Sequence, residues 1–204
     1  MITSKRELKE YIDADLRSIG IYPLSLKQKI SGWLFGPCRW RMQVKLRRLE
    51  YYINTHPKHS GPVYEFRNKM FERYCRKLAC ELYPNVFGPG LCINHSEAVV
   101  VNGFARVGSN CRINAGVNIG SFGRYDGKSA EDNAPAIGNN VYIGPGAKIF
   151  GKIRIGDNVA IGANAVVLKD VPDNATVVGV PGRILENRGS KDMLRYGDRS
   201  VIPE

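Results

Sequence analysis

From Val101 to Val167 the chain carries an aliphatic residue at every sixth position: Val101, Val107, Ile113 and Ile119, then Ile137, Ile143, Ile149, Ile155, Ile161 and Val167. The break between Ile119 and Ile137 is itself three sixes, so the register survives it. Gly follows the aliphatic residue at 108, 120, 138, 144, 156 and 162. Four residues after the aliphatic position stands a second buried-type side chain: Ala105, Cys111, Val117, Val141, Ala147, Val159 and Ala165. An amphipathic helix repeats at about 3.6 residues and a half-buried strand at about 2. A period of six fits neither and is the mark of a parallel β-helix built from hexapeptides. Each unit is expected to make one short flat strand and a turn, with the aliphatic side chain inward and stacked on its equivalent in the next coil. Gly or Asn suits the bends because both tolerate positive φ. Such a stack buries side chains only against its neighbours and is a quasi-one-dimensional solenoid. Phe87 and Ile93 extend the register backwards, with two extra residues between Ile93 and Val101.

The first eighty residues read differently. Ser4-Lys5-Arg6-Glu7 has capping-box form and predicts a short helix to about Arg17. Gly20 to Pro23 is a break. Leu26 to about Ile53 reads as helix, interrupted at Gly36-Pro37, and residues 54–62 as loop. Val63 to about Leu82 reads as helix with Val63, Phe66, Met70, Tyr74 and Leu78 on one face.

Charge and glycine divide the chain at the same place. Residues 1–80 hold 17 Lys and Arg against 7 Asp and Glu, so almost all of the net charge of +11 lies there, whereas 18 of the 22 glycines follow residue 80. The expected organisation is a basic helical region over 1–82, a β-helix over 83–185 with a loop insertion near 122–136, and a tail over 186–204. Trp33-Leu34-Phe35 with Arg39, Arg41, Lys45, Arg47 and Arg48 reads either as a surface for an anionic membrane or as a helical cap with a solvated basic face. Nucleic-acid binding has no supporting motif. Met1 to Gly20 lacks the apolar core of a secretory signal and no stretch is long enough to span a bilayer. Five cysteines without metal-ligand spacing read as reduced thiols, Cys111 as core, and the expected location is cytoplasmic.

Of three histidines, His56 and His59 sit in a polar loop. His95 lies inside the repeat, where the register slips by two, and a ring there can face a groove or be a plain corner residue. Imidazole is the side chain best matched to proton transfer near neutral pH. Gly88-Pro89-Gly90-Leu91-Cys92-Ile93-Asn94-His95, Val99 to Val101, Ala105 to Gly108, Asn114 to Gly120, Ile143 to Gly151, Ile161 to Val167 and Gly179-Val180-Pro181-Gly182-Arg183-Ile184 together resemble the serine acetyltransferase-like branch of the hexapeptide-repeat acyltransferases over roughly residues 85–185. The resemblance implies a mainly β fold, a left-handed parallel β-helix with N-terminal helices. It further implies a homotrimer with active sites between adjacent prisms, acetyl-CoA along one groove, no metal, and His95 as catalytic base. Glu81, with Glu97 as an alternative, is the candidate to orient His95. Gly120-Ser121 is the candidate oxyanion donor, and Ala147, Ala163, Lys169 and Arg183 are candidates for holding CoA. Asn94, Asp132 and Asn133 are candidates for holding the acceptor.

The sequence departs from the serine-specific members where they carry Asp before the histidine, here Asn94, and Arg-His before the loop-ending proline, here Asn133-Ala134 before Pro135. These departures favour a sugar hydroxyl of surface polysaccharide synthesis as acceptor, with L-serine as the alternative. A sugar N-acetyltransferase and a non-catalytic scaffold are further readings. A zinc hydratase on this fold needs three histidine ligands, and the repeats contain one.

Overall fold

Stacked triangular coils begin at Glu81 in a computed structural model, which describes residues 1–20, 37–56, 58, 60–95, 97–121, 133–185 and 189–194. Thirteen short strands are described. One face carries β1 (Cys92–Ile93), β4 (Arg112–Ile113), β7 (Tyr142–Ile143), β10 (Ala160–Ile161) and β12 (Thr176–Val178). The second carries β2 (Val100–Val101), β5 (Asn118–Gly120), β8 (Lys148–Phe150) and β11 (Val166–Val167), and the third β3 (Arg106–Val107), β6 (Ala136–Ile137) and β9 (Arg154–Ile155). Within each face these strands pair in parallel, coil on coil. The hexapeptide register is the pairing register: Ile93, Ile113, Ile143, Ile161 and Val177 form one inward column, and Val101, Ile119, Ile149 and Val167 another. All are buried, as are the second-column residues from Ala105 to Ala165. Phe87 pairs beside Val107, and Glu81 beside Val100, one unit earlier than the aliphatic register shows.

One corner is held by an amide ladder. Asn110, Asn140, Asn158 and Asn174 all take left-handed φ between 55° and 58°. Each side-chain amide donates to the next carbonyl oxygen, at 3.0, 2.9 and 3.0 Å. Gly90 occupies the same corner of the first coil with φ 82°, where a Cβ would lie 2.3 Å from the Asn110 Oδ1. The ladder therefore ends there.

Three helices are described: α1 (Lys5–Ser18), α2 (Cys38–Thr55) and α3 (Pro62–Lys77). The capping box forms as predicted, with Ser4 accepting from the Glu7 N–H and Glu7 accepting from the Ser4 N–H. Residues 26–36 of the expected second helix, and Trp33 to Phe35 with them, lie outside the described residues. The third helix stops at Lys77, not Leu82, because Ala79 turns to φ 47° and Glu81 joins the first coil through its N–H to Val99 O. Its buried side chains are Phe71 and Cys75, with Tyr64, Tyr74 and Leu78 partly buried, whereas Val63 and Phe66 are exposed. The predicted face is thus corrected at its N-terminal half. Two overlapping apolar stripes run along this helix, and packing selected the one through Phe71 and Cys75.

The helices shut the open edge of the first coil. Arg47 donates to Phe87 O at 2.8 Å and Gly88 O at 2.7 Å. Asp15 accepts from the Gly90 and Leu91 N–H groups, both at 2.9 Å. Gln43 and Ser18 donate to Leu91 O, and Glu50 accepts from the Asn85 N–H. Arg47 pairs with Asp15 at 2.8 Å and Glu50 at 3.0 Å, its side chain wholly enclosed. Burial pushes both carboxyls up, and the Arg47 guanidinium opposes that shift. Reading Arg47 as part of a solvated or membrane-facing basic surface is therefore overturned: its charge is neutralised inside the joint.

At the far end β13 (Arg183–Leu185) pairs antiparallel with β12. Residues 189–194 then turn back over the middle coils, with Ser190 buried and bonded to Asn158 O and Asn140 O, and Met193 O accepting from Arg112. Truncating Arg47 strands two buried carboxylates and two strand carbonyls, so Arg47→Ala is expected to cost about 3–5 kcal/mol in chemical denaturation. A loss below about 1 kcal/mol would show that the joint contributes little.

Candidate functional site

His95 stands exposed at the corner between β1 and β2, on the first coil. The residue before it is pinned on three sides. Asn94 N–H donates to Ile113 O at 3.0 Å, its amide donates to Asn114 Oδ1 at 3.3 Å, and Arg39 from α2 donates to its carbonyl at 2.7 Å. Asn114 is itself buried and donates to Ile143 O. The imidazole thus springs from fixed backbone, although its own side chain is open to solvent. The expected acceptor contact at Asn94 is an amide committed to the coil below rather than a free carboxylate.

A shallow groove of about 530 Å³ runs down the neighbouring face from the same end of the solenoid. It brings three predicted residues together, Glu81, Gly120 and Ser121, beside Tyr83, Asn102 and Phe104. The Tyr83 hydroxyl donates to Glu81 Oε1 at 2.6 Å, a bond that raises the Tyr83 pKa. Asn102 donates to the Ser121 hydroxyl at 3.2 Å. Glu81 is hydrogen-bonded to Tyr83 and not to His95, so the structure does not bring the predicted pair together. Gly120 has a packing reason of its own: a Cβ there would fall 2.4 Å from the ring of Phe150. Glu97 is exposed, and its backbone carbonyl accepts from the Gly116 N–H.

The other predicted residues divide. Ala147 is fully buried, and its methyl faces the core, so it lines no groove. That correction follows from the register itself, since position 147 is four residues after inward Ile143. Ala163, Lys169 and Arg183 are exposed. Lys169 follows β11, three strands below β2 on the second face, about 14 Å along the solenoid axis at one strand spacing per coil. Asn133 is buried, and Asp132 lies outside the described residues with the rest of 122–132. Tyr83 was missed, although it stands two residues from Glu81 on the same strand-like face. Nothing in the sequence distinguishes Arg39 from its basic neighbours.

Residues 135–169 match the bacterial transferase hexapeptide family of six repeats. The serine acetyltransferase of Synechococcus elongatus is 46% identical over 126 residues, 61% of this chain and 49% of that protein. That of Staphylococcus xylosus is 44% identical over 122 residues, 59% of this chain and 55% of that protein. Over its repeats the chain resembles the hexapeptide-repeat acyltransferases of the serine acetyltransferase-like branch. The serine acetyltransferase of Neisseria gonorrhoeae superposes with a TM-score of 0.71 at 27% identity, covering 91% of this chain and 68% of its own. The soybean serine acetyltransferase solved with serine superposes with a TM-score of 0.68 at 27% identity, covering 89% and 70%. The architecture is accordingly the left-handed parallel β-helix with N-terminal helices. This serine acetyltransferase-like chain spans about half the length of the curated relatives it matches. Among the described residues no group of His, Cys, Asp and Glu is placed to hold a metal, and no helix is long and apolar enough to cross a membrane.

Arg39 is expected to hold the His95 turn without holding the fold. Arg39→Ala should raise amide exchange around His95 about tenfold while the solenoid amides stay protected. Unchanged exchange there would remove Arg39 from the site.

Proposed function

We propose that the chain is an acetyl-CoA-dependent O-acetyltransferase, with His95 as general base and acid. What supports this is an exposed imidazole on a pinned corner at the capped end of the solenoid, in a chain 46% identical over 126 residues to a serine acetyltransferase. An alcohol is a weak nucleophile while it keeps its proton. His95 takes that proton as the oxygen attacks the thioester carbonyl, then gives it to the departing CoA thiolate, and no acyl-enzyme forms. Holding both reactants in one groove supplies proximity. Ser121 and the backbone beside Gly120 are the candidate donors to the oxyanion. The exposed cations Lys169 and Arg183, further along the solenoid, suit the phosphates of CoA.

The acceptor best supported is L-serine, because every relative named above is a serine acetyltransferase. This reverses the preference for a sugar drawn from the sequence departures alone. A sugar hydroxyl remains the second reading for a specific reason: Asn94 is an uncharged amide already bonded to Asn114, and Asn133 is buried, so neither presents the charge an amino acid would meet. The groove is open on one side and Phe104 is 45% exposed at its rim, which suits a second prism closing it and thus a trimer.

Thiol release from acetyl-CoA with serine, simple sugars and nucleotide sugars tests the reading. Serine is expected to turn over fastest, and His95→Ala to lose about 10²–10⁴-fold in kcat with the melting temperature unchanged. Turnover of a sugar well above serine selects the second acceptor. Thiol release that survives His95→Ala, or none with any acceptor, overturns the catalytic assignment.

A further inference from the structure

The groove between α2 and α3, on the helical region, shares no lining residue with the candidate site and has no part in this reading. It has a volume of about 390 Å³ and is lined by Lys45, Arg48 and Leu49 from α2 and by Pro62, Val63, Phe66, Arg67 and Met70 from α3. Two observations set it apart from an ordinary helix surface. Phe66 is 66% exposed and Val63 52%, the two apolar residues that the packing of α3 left outside. The charges around them are all of one sign. Lys45 has its pKa lowered by burial and then by its cationic neighbours Arg48, Arg67 and Arg41. The acids of these two helices point elsewhere. Glu50 is turned inward onto Arg47. Glu65 and Glu72 fall on roughly the opposite side of α3 from Val63, Phe66 and Met70 at 100° per residue. Glu72 is engaged there by Asn68 and Arg76.

We propose that this groove docks the protein on the surface of an anionic lipid bilayer. Phe66 and Val63 enter the headgroup–acyl boundary, and Lys45, Arg48 and Arg67 meet lipid phosphates. An amphipathic surface with basic residues beside exposed apolar ones binds membranes by this division of labour. Charge argues against a second copy as the occupant. Residues 1–80 hold 17 Lys and Arg against 7 Asp and Glu, so apposing two such faces sets cations against cations. No nucleic-acid-binding motif accompanies these cations. Lys45 and Arg48 belong to the basic stretch that the sequence reads as a candidate membrane surface, whereas the apolar residues beside them come from α3 and not from Trp33–Phe35.

Co-sedimentation of the full chain with phosphatidylcholine vesicles, and with vesicles that also contain phosphatidylglycerol, tests it. Binding is expected only to the anionic vesicles and should weaken as salt is raised. Replacing both Lys45→Gln and Arg48→Gln should lower the partition coefficient about thirtyfold, at roughly 1 kcal/mol per cation. Phe66→Ser should lower it about tenfold or more, by loss of apolar burial. Both variants should keep the wild-type helix content and acetyl-transfer rate, since neither touches the β-helix groove. Equal binding to neutral vesicles, no binding to either, or variants that bind as wild type would overturn the proposal. So would a Phe66→Ser protein whose only change is a smaller assembly by light scattering, which would show that a second copy covers the groove.

Discussion

A β-helix coil satisfies its backbone only through the coils above and below it, and the first coil has nothing above. That unfilled edge is the constraint around which the rest of the molecule is arranged. An open edge of strand is a template for any other chain. Here its donors and acceptors are taken up individually: carbonyls by Arg47, Gln43, Ser18 and Arg39, N–H groups by Asp15 and Glu50. Each charged member needs another. Arg47 is tolerable in the interior because Asp15 and Glu50 face it, and they because it faces them. Below this joint the coils need only repeat, since each buries its aliphatic column on the next.

The same joint ties stability to chemistry. Arg39 belongs to the helix that carries Arg47 and Gln43, and it ends on the residue beside His95. The helices are therefore not an appendage to the repeat domain. They close its edge and fix the corner from which the candidate base projects, while the groove with Glu81, Tyr83 and Ser121 begins in the coil they cover.

What the sequence made legible follows from how local the solenoid is. Contacts between neighbouring coils repeat, so Ile113, Ile143 and Ile161 announce their shared column by spacing alone. The misreading of Ala147 was avoidable on that basis, because the spacing that places Ile143 inward also places the fourth residue after it inward. The cap is another matter. Its contacts join Asp15 to Leu91 and Arg47 to Phe87 across long separations that no period encodes. A count of charges cannot tell enclosed Arg47 from Arg48 one residue on. On α3 the stripe through Val63 and Phe66 was as plausible as the one through Phe71 and Cys75, and only the position of α2 decided between them. Glu81 was found by resemblance, whereas its partner Tyr83 required coordinates.

The amide ladder carries a consequence for how the stack stops growing. Asn110, Asn140, Asn158 and Asn174 hand a hydrogen bond from coil to coil in the manner of identical side chains along an amyloid fibre. Gly90 at the head of that column has no amide to offer. The chain thus interrupts its own side-chain template at the coil where the helices cover its backbone. Pared down to its repeats, it would lose the second stop while keeping the first, and a bare glycine corner alone would be left to discourage end-to-end fibre formation.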